Sequence, residues 1–335
     1  MPDGQVIVDM QHHYLPQEAL PHIGETPEFD FRKSINRFKN AATRLTSIDK
    51  DVEYLDAAGI DMAVLSTGAF TPNGFDFCRA CNDGYAKALR AHPGRFIGMI
   101  HVYPLDDARR NRDEIKRCVE ELGLRGLALV SSYGNTRLDD PVMNPTYEAA
   151  LEYDMPVFVH PTLRINLWGG EKYDMFCTVS REYDIVKSFV ELFYGVLPRY
   201  PGLKVVMAHF GGGLTALKGR LLAWHQPEYL EIPEMSRHRG LAVQEATELG
   251  LTADFEKRLA NCLFDSAGFG GWMPVIKSGF ETLGAEHICF GTDYPYELEK
   301  TPHIRKFIAD IKALPLSEHN KKNFFGGNVL KAFRI

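Results

Sequence analysis

Short runs of β-branched and apolar residues recur along this chain, each followed by a loop and then by a segment whose apolar positions repeat at helical spacing. The runs are Gln5–Asp9, Met62–Ser66, Phe96–Val102, Gly126–Val130, Pro156–His160, Lys204–His209, Leu263–Asp265 and Ile288–Gly291. They are continuous rather than alternating, the pattern of parallel strands buried on both faces. Between them the spacing predicts helices over Ile48–Ala58, Phe75–Ala91, Ala108–Leu122, Pro145–Tyr153, Val186–Tyr200 and Leu214–Trp224. Eight strands alternating with helices predict a (β/α)8 TIM barrel, with a doubly wound sheet as the alternative. No Gly-rich phosphate loop follows the first strand, which counts against a dinucleotide-binding sheet. The glycines of HFGGGL, His209–Leu214, lack that fingerprint and read as a tight strand-to-helix turn.

Three stretches break the rhythm: Gln17–Thr46, Leu163–Ser180 and Gln226–Arg258. Each follows a strand end or its helix, where barrels place substrate loops. The first carries Arg32, Lys33, Arg37, Lys39 and Arg44, read either as a solvated helix face or as an attractor for an acidic substrate. No internal repeat, low-complexity tract or linker composition divides the chain, so a single domain over residues 1–335 is expected.

Composition narrows the partners. With 45% hydrophobic and 24% charged residues the chain reads as a soluble globular protein, and a net charge of -6 supplies no basic field for nucleic acid. A small-molecule substrate is expected, with no nucleic acid and no membrane. No leader-like segment or membrane-length apolar run is apparent, so a cytoplasmic location is expected. The 6 cysteines are scattered, which suits reduced thiols. Cys78 and Cys81 form a CxxC inside a helical pattern and read as one helix face rather than a zinc site.

The candidate chemistry gathers at strand ends. In VIVDMQHHYLP, Val6–Pro16, strand alternation sends Asp9, Gln11 and His13 one way and Met10 and His12 the other. His160 ends PVFVHPT, His209 follows KVVMA, and Asp293 follows ICFGT. In a barrel these ends ring one cavity. Neutral imidazoles and a carboxylate suit a divalent metal with open positions for water or substrate. A histidine beside the metal, for which His209 is the choice, serves as proton donor or acceptor.

At this point the motifs carry a resemblance. VDMQHHYLP, LDAAGIDMAVLST, HPGRFIGMIHVYP, EELGLRGLALVSS, VHPT, PRYPGLKVVMAHFGGGL and FGTDYPYELE resemble the amidohydrolase superfamily, in the branch of aminocarboxymuconate semialdehyde decarboxylase and related aromatic-acid decarboxylases. The resemblance implies the (β/α)8 barrel, a divalent ion such as zinc or manganese held by His13, His160 and Asp293, and His209 as the catalytic histidine. It also implies a homodimer or dimer-based oligomer in which Arg220, in LTALKGRLL, binds a substrate carboxylate across the interface. Arg164, Trp168 and Tyr294 are pocket candidates from their neighbourhood alone.

The implied reaction is non-oxidative decarboxylation of an aromatic or conjugated carboxylic acid, with His209 or Asp293 delivering the proton. The same ligands also serve a hydrolase or hydratase acting on a small carbonyl, ester, amide or C–C bond, with Asp293 as base. A third reading is a binding protein that kept the barrel.

Three departures matter. Gln11 stands where the family pattern His-x-His has its first histidine. An amide oxygen is a weak neutral ligand, so metal would bind less tightly, favour a harder ion, or be absent. Thr162 and Leu163 replace a tryptophan, and Asp51 stands where the semialdehyde decarboxylase has an arginine. The muconate semialdehyde is therefore not the expected substrate.

Overall fold

The computed structural model describes residues 5–24, 43–162, 172–225 and 255–335. Its strands are β1 Val8–His13, β2 Met62–Ser66, β3 Phe96–Gly98, β4 Ile100–His101, β5 Leu127–Val130, β6 Val157–His160, β7 Val205–Met207, β8 Cys262–Asp265 and β9 Ile288–Cys289. β3 and β4 are two halves of one run, parted at Met99. The first half pairs with β2 and the second with β5, so the run serves as a single stave.

Neighbouring strands are parallel and follow chain order, β1-β2-β3 and then β4 through β9. The two ends of the series meet. Met10 N–H donates to Phe290 O (2.9 Å), His13 N–H to Tyr294 O (2.8 Å) and Asp293 N–H to Gln11 O (3.0 Å). First strand beside last makes a (β/α)8 barrel and excludes the doubly wound sheet, whose order reverses at a switch point.

The helices among the described residues include α1 Ile48–Ala58, α2 Phe75–Ala91, α3 Ala108–Glu120, α4 Asn144–Glu152, α5 Arg181–Val190 and α6 His209–His225. Each turns its apolar stripe inward. In α1 the buried positions are Asp51, Tyr54, Leu55 and Ala58, the spacing of one helix face, with a carboxylate where an apolar residue is the rule. In α2, Cys78, Cys81 and Tyr85 lie on the buried face. Burial pushes both thiols well up, so they pack as small apolar groups.

Two elements differ from the pattern expected of the sequence. β1 was expected over Gln5–Asp9 but runs Val8–His13. Asp9, Gln11, His12 and His13 are fully buried polar residues whose partners come from distant segments, so local hydropathy ends the strand too early. The helix expected over Val186–Tyr200 begins at Arg181, because the polar turn Arg-Glu-Tyr-Asp hides its apolar period. A π-helical turn over Phe176–Ser180 runs straight into it, so Glu182 and Asp184 lie inside a longer helical run.

β1 also carries a bulge. Asp9 pairs with Ala63 but His12 pairs with Leu65, so one extra residue is inserted between them. Asp9 therefore shares a side with His12, not with Gln11 and His13 as simple alternation requires. The bulge leaves Gln11 and His13 facing Asp293.

The turn entering α6 is left-handed over five residues, with φ of 55° at His209, 50° at Phe210, and 65°, 70° and 80° at Gly211, Gly212 and Gly213. Glycine adopts this conformation freely, whereas His209 and Phe210 are strained by ~1–2 kcal/mol each. Asp293 is also left-handed, at φ 55°. Strain of this kind concentrates where side chains must be aimed.

Candidate metal centre

His13, His160 and Asp293 come from the ends of β1 and β6 and from the loop after β9. Each offers one donor atom within 4.8 Å of the others, and all three are buried. His160 Nδ1 lies 2.8 Å from Pro161 O. A carbonyl only accepts, so Nδ1 carries the hydrogen and Nε2 keeps its lone pair for a ligand. Burial, and then the neighbouring His13, hold the His160 imidazole well below its usual range, in the neutral form a metal requires.

Asp293 is the hub. Its Oδ1 lies 2.8 Å from His13 Nε2 and accepts from Gln11 Nε2 at 2.9 Å, while Oδ2 accepts from Arg181 Nη2 at 3.3 Å. Burial pushes this carboxyl up. The His13 hydrogen bond and the charges of Arg181, His13 and His209 overcome that and hold it ionised, well below the usual carboxylate range.

His209 is fully buried, 3.9 Å through Nε2 from Asp293 Oδ2 and 2.8 Å through Nδ1 from Glu182 Oε1. Burial lowers its pKa, but the Glu182 charge and hydrogen bond more than offset this and leave it raised. The imidazole therefore holds a proton more readily than a free histidine. Its backbone N–H donates to Asp265 Oδ1 at 3.0 Å, and burial pushes that carboxyl up to about 7.

These residues fit a cation. Gln11 turns its amide N–H groups toward Asp293 (2.9 Å) and His209 Nε2 (3.0 Å), and its Oε1 is buried with no hydrogen-bond partner. An orphaned carbonyl oxygen beside a His-His-Asp cluster is an atom that a bound ion or its water satisfies. The cluster is also rich in acid, since Arg181 lies within 4.0 Å of three carboxylates, Glu182, Asp293 and Glu297. Gly68 makes the space for the ligands. A Cβ there would meet His13 Cε1 at 2.7 Å and His160 Cε1 at 3.2 Å.

His12 faces elsewhere. Its Nδ1 is 3.0 Å from Asp9 Oδ2, its Nε2 is 3.6 Å from Asp51 Oδ1, and its ring stacks on Tyr294 at 4.7 Å. Burial works against its charge, but Asp51 and Asp9 raise it to about 9. Asp51 is thus the counter-ion of a buried histidine. Tyr294 lies on this side too, stacked on Tyr54 at 3.9 Å, rather than against the His13–His160–Asp293 cluster. Arg220 is exposed on α6. Arg164 and Trp168 lie outside the described residues, as do Arg32, Lys33, Arg37 and Lys39. Thr162 ties β6 to the end of β5, its N–H donating to Ser131 Oγ at 2.8 Å and its hydroxyl to Ser132 O at 3.0 Å.

Sequence reasoning missed Arg181, Glu182 and Glu297. The signal for the first two was the adjacent Arg-Glu pair in TVSREYD, directly after a stretch recognised as a substrate loop. Glu297 follows Asp293 by one helical turn's spacing in TDYPYE.

Residues 8–335 match the family model described as Amidohydrolase. The 2-amino-3-carboxymuconate-6-semialdehyde decarboxylase of Dictyostelium discoideum is 26% identical over 292 residues, covering 84% of this chain and 75% of that protein. The 6-methylsalicylic acid decarboxylase of Penicillium expansum is 25% identical over 349 residues, covering 97% of this chain and 95% of that one. Among solved structures, 5-carboxyvanillate decarboxylase from Novosphingobium aromaticivorans, complexed with manganese and 4-hydroxy-3-methoxy-5-nitrobenzoic acid, superimposes with a TM-score of 0.79 at 23% identity, covering 99% of this chain and 97% of that one.

Proposed function

The chain belongs to the amidohydrolase family, and on that footing we propose that it is a metal-dependent carboxy-lyase releasing carbon dioxide from a small aromatic or conjugated acid. The observation that carries the reading is the meeting of His13, His160 and Asp293 in one buried cluster with His209 beside it. Relatives that are decarboxylases, of a conjugated semialdehyde acid and of an aromatic acid, support the choice of reaction over hydrolysis.

His13, His160 and Asp293 would hold the ion, with Gln11 beside them holding Asp293 through its amide N–H. A divalent cation supplies Lewis-acid polarisation of a bound carboxylate and an adjacent hydroxyl. The chain supplies the rest. His209 Nε2 accepts from Gln11 Nε2 at 3.0 Å and lies 3.1 Å from Arg181 Nη2, so it takes up a proton there before passing it to the carbon that loses carbon dioxide. Glu182 holds the ring by Nδ1 and favours the imidazolium. Asp293, kept ionised, stabilises that imidazolium across 3.9 Å. The barrel walls exclude water, which strengthens each of these interactions.

The same reading makes the chain one amidohydrolase domain, cytoplasmic, and a homodimer whose Arg220 serves the neighbouring site. Among the described residues no helix is long and apolar enough to cross a membrane.

The test is carbon dioxide release from 6-methylsalicylate, 5-carboxyvanillate and other hydroxybenzoates, run beside aryl esters and amides. Release from a hydroxybenzoate that stops on chelation supports the reading. Turnover confined to esters or amides replaces it with hydrolysis.

A further inference from the structure

Asp265 ends β8 beside His209, fully buried and outside the His13–His160–Asp293 cluster. Its Oδ1 accepts from two main-chain N–H groups, those of His209 at 3.0 Å and Ala267 at 3.1 Å. Oδ2 has no hydrogen-bond partner among the described residues. Every hydrogen bond of this carboxylate therefore falls on main chain, and one of them starts the turn that carries the catalytic imidazole. The side chain has no room to swing away, because the end of β9 closes on it. A Cβ added at Gly291 would meet Asp265 Cβ at 3.1 Å and Cγ at 3.3 Å.

His209 needs such a hold. It stands at φ 55° and Phe210 at φ 50°, a left-handed backbone that L-residues keep only where their surroundings impose it. Relaxation to the right-handed region would carry the imidazole off its line to Asp293. Asp265 Oδ1 ties down the N–H at the head of that turn. Three residues after Asp265, Gly268 at φ 82° lays bare main chain against the ring, where a Cβ would meet His209 Cγ at 2.3 Å and Nδ1 at 2.7 Å. One short segment, Asp265–Gly268, thus holds His209 at both main chain and ring. A buried carboxylate with one oxygen unpaired is costly to keep for packing alone.

Resting on the reading of His209 as the proton-transfer residue, we infer that Asp265 is a positioning residue, which holds the left-handed turn that aims His209 Nε2 into the site. It acts on where the ring sits rather than on what the site binds, so it belongs to kcat and not to KM.

The test compares Asp265→Ala with Asp265→Asn, whose amide Oδ1 still accepts both N–H groups. Two readouts are taken at wild-type metal loading. One is carbon dioxide release from 6-methylsalicylate or 5-carboxyvanillate. The other is the imidazole spectrum of protein labelled with nitrogen-15 histidine, in which His209 is picked out of the 12 histidines by the signal lost in His209→Gln. Asp265→Ala should lower kcat by about 30-fold or more with KM changed less than about threefold, and should shift or broaden the His209 signal while the remaining histidine signals hold. Asp265→Asn should recover most of kcat and return the His209 signal. If the alanine variant melts early, Asp265→Ser carries the same readouts, since its shorter side chain leaves the His209 N–H out of reach. Wild-type kcat with an unmoved His209 signal in alanine or serine overturns the assignment, and so does a loss shared by all the histidine signals that asparagine fails to rescue. The spectrum needs no turnover, so the two readings fail separately. A His209 signal that depends on Asp265, with no carbon dioxide from any acid, sinks the carboxy-lyase reading alone. Carbon dioxide release indifferent to Asp265 sinks the positioning role alone.

Discussion

Glu182 Oε1 lies 2.8 Å from Nδ1 of His209, while Nε2 of the same ring faces Asp293. The imidazole is thus gripped at one nitrogen and directed by the other. His209→Ala should abolish carbon dioxide release, a loss of ~10²–10⁴-fold, while circular dichroism and metal content stay near wild type. Near-wild-type turnover would remove His209 from the proton-transfer role. Glu182→Gln should act on the pH profile as well as on the rate. Glu182 favours the imidazolium, so without it the acid form is lost at lower pH, and the alkaline limb of kcat should move to lower pH. An unmoved limb would mean Glu182 only packs.

Glu114, on α3, offers a prediction away from the site. Its side chain is 2% exposed and accepts from Asn82 Nδ2 at 2.9 Å and Arg117 Nη2 at 2.7 Å. Asn82 in turn exchanges hydrogen bonds with the backbone of His101 on β4. Burial raises the Glu114 carboxyl, but Arg117 and Asn82 bring it below its ordinary value. A depressed folded pKa contributes stability that is present above the unfolded pKa, about 4.3, and is lost as pH falls through the folded one. Glu114→Gln should cost ~1–3 kcal/mol at pH 7, and the gap from wild type should close below about pH 4 in denaturant titrations. A gap that persists at pH 3 would show that the charge is not the cause.

The barrel was legible because parallel strands buried on both faces leave continuous apolar runs, as Leu127–Val130 and Val157–His160 do. Strand-end chemistry was legible because a barrel places His13, His160, His209 and Asp293 on one rim. Arg181 and Glu182 were not, because a polar first turn looks the same whether it faces solvent or a cavity. The bulge in β1 was hidden for a related reason. Asp9 takes the side of His12 only because Thr292, from the far end of the chain, donates to its carboxylate at 2.9 Å through N–H and 2.6 Å through Oγ1. Asp51 read as a lost arginine until the fold set it 3.6 Å from His12.

Gly68 should be as sensitive as a ligand. It sits at φ 59°, and an added Cβ would press on His13 Cε1 at 2.7 Å, an aromatic ring fixed on both sides. Gly68→Ala should cost about 1–3 kcal/mol from backbone strain and crowding, and should weaken metal binding through displaced imidazoles. Wild-type metal affinity in a destabilised variant would show that the rings do not move.

The metal itself rests on Gln11. Protein purified without chelator should hold about one divalent ion per chain, lost together with activity on chelation. Gln11→His replaces an amide whose Oε1 has no partner with an imidazole, a stronger donor for zinc or manganese. Its metal dissociation constant should fall by about tenfold or more, read by competition with a fluorescent chelator. The variant separates two ways of being active. If wild type is folded, active and metal-free while Gln11→His gains an ion and loses activity, then Gln11 keeps the ion out and the chemistry belongs to His209, Glu182 and Asp293 alone. If both bind an ion and both turn over, Gln11 is a weak ligand that the reaction tolerates. An unchanged dissociation constant would mean that Gln11 serves only to hold Asp293, at the 2.9 Å its amide now spans.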